Sequence, residues 1–249
     1  MTRNASSSSP ASTQLTPLTP PSPTLPPCAV CGGGEYRDHR VLWPALVQAW
    51  NLSPEEEAYV NRQQGTVCLQ CGGNLRSIAL ARAICRYLGH PGTLDALLDD
   101  APDLALLEVN EAGTLHPRLS RLPGHVFAGY PQCDMMALPF DTGRFRVVVH
   151  SDTLEHVADP SRALAELRRV LAPGGASIFT VPIVVGRMTR SRRGLPPSHH
   201  GDVGTDAGDL LVHNEFGCDV WTLVLQAGFS RCDFVPFGYP AGIAMVAHR

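Results

Sequence analysis

The chain of 249 residues has no apolar run close to the roughly 18 residues that a membrane-spanning helix needs. Nor has it an excess of positive charge: its formal net charge is −3, so a general attraction to nucleic acid or to an anionic membrane is not expected. The N-terminus lacks a charged segment followed by an apolar one, which argues against a secretory signal. We therefore expect a cytoplasmic protein with reduced thiols.

No Gly-x-Gly-x-x-Gly fingerprint follows an apolar strand, which argues against a nicotinamide-dependent dehydrogenase.

Residues 1–27 are poor in large apolar side chains. Eighteen of these 27 residues are Ser, Thr or Pro, so the segment cannot bury enough apolar surface to offset the entropy lost on ordering. It carries only one arginine, Arg3, whereas a transit peptide would be rich in arginine. We expect a disordered tail.

Four of the eight cysteines form two Cys-x-x-Cys pairs, Cys28 with Cys31 and Cys68 with Cys71. Two residues between thiolates allow one tight turn to direct both sulfurs at a single ion, and a glycine follows each pair. Two such turns supply the four ligands of a tetrahedral structural zinc site. Two disulfides or four ordinary thiols are the alternatives. The other four cysteines are isolated and are expected to be small buried hydrophobic residues.

The region 28–100 is expected to combine this zinc ribbon with helices. Ser53, Pro54 and Glu56 form a capping box, which predicts a helix of about two turns ending near Gly65. Apolar residues at helical spacing between Asn74 and Leu88 predict a second helix. Thr93 is expected to cap a third helix through Leu98. These helices should pack against the domain that follows.

From residue 101 onward the pattern indicates an α/β domain with a parallel sheet. Four apolar runs predict strands, at 104–110, 125–130, 145–151 and 177–184. Asp159 and Pro160 begin an amphipathic helix between the last two of these strands, and Pro173-Gly174-Gly175 is expected to end it. Strands that alternate with helices predict right-handed crossovers and ligand binding at the carboxyl ends of the strands.

The segment 133–182 resembles the second half of class I S-adenosylmethionine-dependent methyltransferases of the type 11 kind. It contains, in order, Asp134 before Leu-Pro-Phe, an apolar strand before Leu-Glu-His, and Arg-Val-Leu-Ala-Pro-Gly-Gly before the next strand. The later segment 212–230, with its Ala-Gly-Phe, resembles the family's final helix. The cysteine pairs are similar to a methyltransferase subgroup with an N-terminal zinc ribbon. The resemblance implies a Rossmann-like domain that binds S-adenosylmethionine and transfers its methyl group to an unidentified acceptor.

This resemblance implies contacts to the cofactor at several strand ends. Asp134 would accept from the adenine amino group, or would instead make a local turn; Asp152 would face the methionine end, or would cap a turn. The full set of expected cofactor-binding residues is Glu108, Asn110, Gly113, Asp134, Met135, Ser151 and Asp152. No catalytic residue is assigned: His156 is a candidate, but methyl transfer mainly requires alignment of the acceptor, methyl group and sulfur.

The sequence departs from the family pattern at three places. The loop after the first strand has one glycine, the end of the second strand offers Gly129 and Tyr130 where the family has a ribose-binding acid, and no helix fits before Asp134. A methyltransferase fold that has lost its activity and binds a partner is therefore the alternative. Four arginines at positions 187, 190, 192 and 193 indicate either an anionic acceptor or a solvated loop.

Overall fold

The computed structural model describes residues 25–100, 102–199 and 210–249. The predicted tail falls almost entirely outside these ranges and stays a prediction. Within them no helix is long and apolar enough to cross a lipid bilayer.

The described residues form eleven strands and seven α-helices. In chain order they are β1 (Tyr36–Asp38), α1 (Pro44–Ala49), α2 (Pro54–Gly65), β2 (Thr66–Cys68), α3 (Leu75–Tyr87), α4 (Leu94–Asp99), β3 (Leu106–Val109), α5 (His116–Leu119), β4 (His125–Ala128), β5 (Phe145–Ser151), α6 (Pro160–Val170), β6 (Leu171–Thr180), β7 (Ile183–Val184), β8 (Arg190–Ser191), β9 (Asn214–Gly217), α7 (Trp221–Gln226), β10 (Arg231–Phe237) and β11 (Gly242–His248). Two 3₁₀ turns cover Gly113–Leu115 and Leu154–His156.

The central sheet is Rossmann-like, with the strand order β10-β11-β6-β5-β3-β4. Strands β4, β3, β5 and β6 are parallel to one another. The predicted parallel sheet is extended by two antiparallel strands, because β11 pairs antiparallel with both β6 and β10. The α/β prediction is confirmed, and the sheet is mixed and mostly parallel.

Helices cover both faces of this sheet. On one face α3, ten of whose residues are buried, packs against β6, β10 and β11. On the other face α6 and α7 pack against each other and against strands. The predicted packing of α3 on the following domain is confirmed, and the apolar core formed with it continues past residue 100.

Three helices start at the predicted caps Ser53, Thr93 and Asp159, and a fourth starts at Asn74, which was not predicted as a cap. Ser53 Oγ accepts from Glu56 N–H, and a Glu56 carboxylate oxygen accepts from Ser53 N–H, so the capping box is confirmed. The helix that it begins has 12 residues rather than the predicted two turns. The side chains of Asn74 and Thr93 cap α3 and α4, and the Asp159 side chain caps α6.

The predicted end of α6 is wrong. The helix ends at Val170, and β6 begins at Leu171, before Pro173-Gly174-Gly175. The pairing of β5 with β6 is irregular here, since Phe145 lies opposite Leu171 while Val147 lies opposite Ala176. The Pro-Gly-Gly segment therefore takes up extra length at the start of the strand, where Gly174 has a φ of +71°.

Candidate functional site

A cavity of about 420 Å³ lies at the carboxyl ends of β3, β4 and β5. This volume falls in the range of about 300–1,000 Å³ that is typical of ligand sites. Its lining comes from the three strand ends and from the segment that precedes β9: Val109, Asn110, Glu111, Tyr130, Cys133, Asp134, Met135, Met136, Ser151, Asp152, Thr153, His156, Val157, Ala158, Leu210 and His213. The position is the one at which open α/β sheets bind ligands.

Two residues at neighbouring strand ends have left-handed backbones. Asn110 after β3 has a φ of +55°, and Asp152 after β5 has a φ of +48°. Asparagine and aspartate tolerate this region better than other non-glycine residues, which explains how a loop with few glycines makes the turn. Asn110 Oδ1 accepts from Tyr130 N–H at 2.9 Å and so joins the ends of β3 and β4. Strained residues of this kind cluster at functional sites.

Five of the seven expected cofactor residues line this cavity: Asn110, Asp134, Met135, Ser151 and Asp152. Glu108 and Gly113 do not line it. Glu108 is fully buried, and its Oε1 accepts from Ala112 N–H at 2.8 Å. Its Oε2 lies 2.8 Å from His116 Nδ1 and 2.7 Å from His125 Nε2. The expectation that Glu108 faces the ligand is corrected, because these partners hold both of its oxygens.

Asp134 makes the local turn that was the alternative reading of this residue. One of its oxygens, Oδ1, accepts from Met136 N–H at 2.8 Å, while Oδ2 has no hydrogen-bond partner among the described residues. The Asp134 side chain can therefore make the turn with one oxygen and contact a ligand with the other.

Ser151 is buried, and its Oγ lies 2.8 Å from Thr180 Oγ1, which joins the ends of β5 and β6.

Sequence reasoning missed Arg76, which reaches the site from α3. Its Nη2 lies 2.8 Å from Asp152 Oδ2, although the two residues are far apart in the chain. Asp152 Oδ1 is buried without a hydrogen-bond partner in the described structure, as are two of the guanidinium nitrogens. Asp152, which lines the cavity, therefore pairs with a buried cation. In the sequence, the spacing of apolar residues around Arg76 indicated a helix but gave no sign of a functional role for the arginine.

His156 lines the cavity, and its Nδ1 lies 3.0 Å from the carbonyl oxygen of Leu211. Burial lowers the pKa of His156, although the Leu211 carbonyl and the charge of Asp152 act in the opposite direction. Glu155, the preceding residue, is fully buried, and burial raises the pKa of its carboxyl well above the usual value.

No carboxylate stands at the end of β4 within the described residues, as the sequence indicated. Glu111, on the loop after β3, lines the cavity together with Tyr130. This acidic side chain was not among the expected site residues, because its place in the loop gave no indication of where it would point.

The arginine segment is already paired with carboxylates of the protein. Arg187 bonds Glu56, while Arg190 and Arg192 both bond Glu215. Arg192 is also buried. These three guanidinium groups tie the segment to α2 and β9, although the Arg190 side chain stays half exposed.

The two Cys-x-x-Cys turns meet in space. Their four sulfur atoms lie within 4.8 Å of one another, with Cys28 and Cys71 sulfurs 3.7 Å apart and Cys31 and Cys68 sulfurs 3.7 Å apart. Four sulfurs bound to one zinc at about 2.3 Å stand about 3.8 Å apart. All four thiols are free, so the disulfide alternative is wrong. Gly32 and Gly72, which follow the pairs, have φ values of +84° and +74°.

Of the four isolated cysteines, only Cys85 is buried, and Cys218 is exposed. The expectation that all four are buried is therefore wrong.

A more open groove of about 640 Å³ lies beside β1 and α2. It shares no lining residue with the cavity at the strand ends.

Residues 109–179 match a family profile described as a methyltransferase domain. A segment of 49 residues is 45% identical to an uncharacterized 37.1 kDa protein in transposon TN4556 of Streptomyces fradiae. That segment is 20% of this chain and spans only 14% of the curated relative.

Solved structures with a similar arrangement include methyltransferases from two bacteria. One is an S-adenosylmethionine-dependent methyltransferase of Thermotoga maritima, described as a possible histamine N-methyltransferase (16% identity, 70% of this chain and 89% of that one, TM-score 0.39). Another is an S-adenosylmethionine-dependent methyltransferase of Mesorhizobium loti (15% identity, 62% and 94%, TM-score 0.37). The profile match supports the methyltransferase class for the domain that contains the cavity.

Proposed function

We propose that this chain binds S-adenosylmethionine in the cavity at the ends of β3, β4 and β5 and transfers its methyl group to an acceptor. One observation carries the proposal: the segment that matches the methyltransferase profile, 109–179, also supplies most of the cavity wall. The volume of about 420 Å³ suits a cofactor of this size. The buried, unpartnered Asp152 Oδ1 is a fitting acceptor for the ammonium of the methionine end.

Each part of the cofactor has a candidate partner. Asp134 Oδ2 would accept from the adenine amino group, with Met135 against the ring. Glu111 would accept from the ribose hydroxyls in place of the acid that is missing from the end of β4. Asn110 holds the loop after β3 in its left-handed turn, and Gly113 begins the following 3₁₀ turn. Ser151 and Asp152 would face the methionine end. Burial raises the pKa of Asp152, and the charge of Arg76 opposes that shift.

Bound S-adenosylmethionine supplies an electrophilic methyl group on a positively charged sulfur. The residues of this chain then mainly hold acceptor and cofactor in line and exclude water. His156 is the candidate to take a proton from an acceptor, because burial lowers its pKa and keeps the imidazole neutral at pH 7. The acceptor would enter between His156 and the segment that contributes Leu210 and His213.

The cofactor proposal is tested by calorimetric titration with S-adenosylmethionine and S-adenosylhomocysteine. Asp134→Asn keeps the oxygen that accepts from Met136 N–H but replaces Oδ2 with an amide donor. Affinity should therefore fall by about 1.5–3 kcal/mol, the typical contribution of a hydrogen bond to a charged group. Asp141→Asn, at an exposed position outside the cavity, is the matched control and should bind normally. If wild type binds neither ligand at millimolar concentration, the proposal fails, and a fold retained for partner binding replaces it.

We also propose that Cys28, Cys31, Cys68 and Cys71 hold one structural zinc ion. With four thiolates no coordination position stays open for substrate, so the ion stabilises the fold and takes no part in methyl transfer. Metal analysis should find about one zinc per chain. Cys68→Ser should lower both the zinc content and the melting temperature, whereas Cys218→Ser, at an exposed thiol away from the cluster, should change neither. If wild type contains no metal, or if removing its metal leaves the melting temperature unchanged, the zinc site is ruled out.

A further inference from the structure

Beneath the cofactor cavity, Glu108, His116 and His125 bring three ligand atoms within 4.8 Å of one another. We propose that these residues bind a second divalent transition-metal ion, separate from the cysteine cluster and not required by the proposed methyl transfer. Two imidazoles and one carboxylate form a donor set that suits Zn²⁺, Co²⁺, Ni²⁺ or Fe²⁺.

The sheet register creates this cluster. In the parallel pair of β3 and β4, Leu106 lies opposite His125 and Glu108 lies opposite Phe127. Alternation along a strand then puts the side chains of Glu108 and His125 on the same face of the sheet. The short helix α5 begins at His116 and lies over that face, with the His116 ring 5.0 Å from the ring of Phe127.

The ligand atoms are close to the spacing that a metal needs. Oε2 of Glu108 lies 2.8 Å from His116 Nδ1 and 2.7 Å from His125 Nε2. Two atoms bound to one cation at about 2.1 Å stand about 3.0–3.4 Å apart at octahedral or tetrahedral angles. A small outward movement of the imidazoles would therefore admit an ion. Their protons would then lie on the opposite ring nitrogens, as neutral imidazole ligands require.

The carboxylate is already oriented as a ligand. Ala112 N–H donates to Glu108 Oε1 at 2.8 Å and fixes the plane of the carboxyl group, which is the role of an outer partner in metal sites. Glu108 is fully buried, whereas the His116 side chain is 29% exposed. An ion can enter past His116, and water can fill the remaining coordination positions. The ion would join β3, α5 and β4 directly behind the loop that contains Asn110.

The test is a titration of the zinc-loaded full chain with Co²⁺, followed by calorimetry and visible absorption. One equivalent of Co²⁺ should bind in addition to the zinc and give the weak bands of nitrogen and oxygen ligation, without the strong near-ultraviolet charge-transfer band of thiolate ligation. The spectrum therefore separates this site from the cysteine cluster, and neither result depends on cofactor binding. The absence of Co²⁺ binding at submillimolar free Co²⁺, or binding that gives only the thiolate charge-transfer band, overturns the proposal.

Variants locate the second ion. His116→Gln and His125→Gln should each weaken its binding by at least about tenfold, since even outer-shell changes cost 10–100-fold in metal affinity. His248→Gln is the matched control, because His248 also pairs with a carboxylate, Asp233, but has no second histidine beside it. Metal should raise the melting temperature of wild type but not of His116→Gln. Unchanged binding in both His116→Gln and His125→Gln would refute the site.

Discussion

The buried imidazole of His150 should make the free energy of unfolding depend on pH. The residue is fully buried on β5, and neither ring nitrogen has a hydrogen-bond partner in the described structure. Its ring stacks on Phe179 of β6 at 4.6 Å between centroids. Burial lowers the pKa of His150 from 6.5 to about 3. The folded protein therefore holds a neutral imidazole at pH values where the unfolded chain carries a protonated one.

The difference between the folded and unfolded pKa values of His150 sets how stability changes with pH. Because the pKa of His150 is lower in the folded state, the stability contribution is complete above pH 6.5 and is lost as the pH falls towards 3. Between pH 7.5 and 5.0 the loss is about 2 kcal/mol, since pH 5.0 lies about 1.5 units below the unfolded pKa and each unit is worth about 1.4 kcal/mol. His150→Leu removes this loss. At pH 7.5 the variant should be as stable as wild type or slightly more stable, because it buries no unsatisfied polar nitrogen.

The measurement is urea unfolding of wild type and His150→Leu at pH 7.5 and pH 5.0, followed by tryptophan fluorescence. Other groups titrate in this range, including Glu155, whose raised carboxyl pKa acts in the opposite direction. These groups are present in both proteins, so the difference in unfolding free energy isolates His150. That difference should grow by about 2 kcal/mol in favour of the variant on going to pH 5.0. A difference that does not change with pH would refute the neutral, unpaired imidazole.

Three further predictions concern stability and can be measured by denaturant unfolding. Arg76→Met should lower the free energy of unfolding by about 1–3 kcal/mol by leaving Asp152 unpaired. The double variant Arg76→Met/Asp152→Asn should recover part of this loss. A further, additive loss in the double variant would contradict the pairing. Ser53→Ala should cost about 1 kcal/mol through loss of the α2 cap, and no change would mean that the capping box is not formed in solution. Gly65→Ala should cost about 1–3 kcal/mol, because overpacking forces the surroundings to move; an added Cβ would stand 1.9 Å from a main-chain carbonyl oxygen. Gly34→Ala, where an added Cβ meets nothing within 4 Å, is its control and should be neutral.

Local chemistry made much of the fold predictable from the sequence. The strand 145–151 and the Asp159 cap with Pro160 were predicted at the positions where they occur. The glycines beside the cysteine pairs and the cap Thr93 were also predicted at the positions where they occur. These features depend on residues within a few positions of one another, through backbone geometry, side-chain caps and the spacing of apolar residues. The position of Ser151 at the end of an apolar strand allowed it to be proposed as a cavity residue, whereas Asp134 was proposed from the family resemblance.

Only the tertiary structure decided which distant groups meet. Arg76 reaches Asp152 because α3 lies across the sheet, and Glu108 meets His116 and His125 because β3, α5 and β4 converge beneath the cavity. The antiparallel strands β10 and β11 and the early start of β6 depend in the same way on pairing partners far along the chain. No local propensity encodes such pairs. Their formation depends on burial and on hydrogen bonds that exist only after the layers have packed.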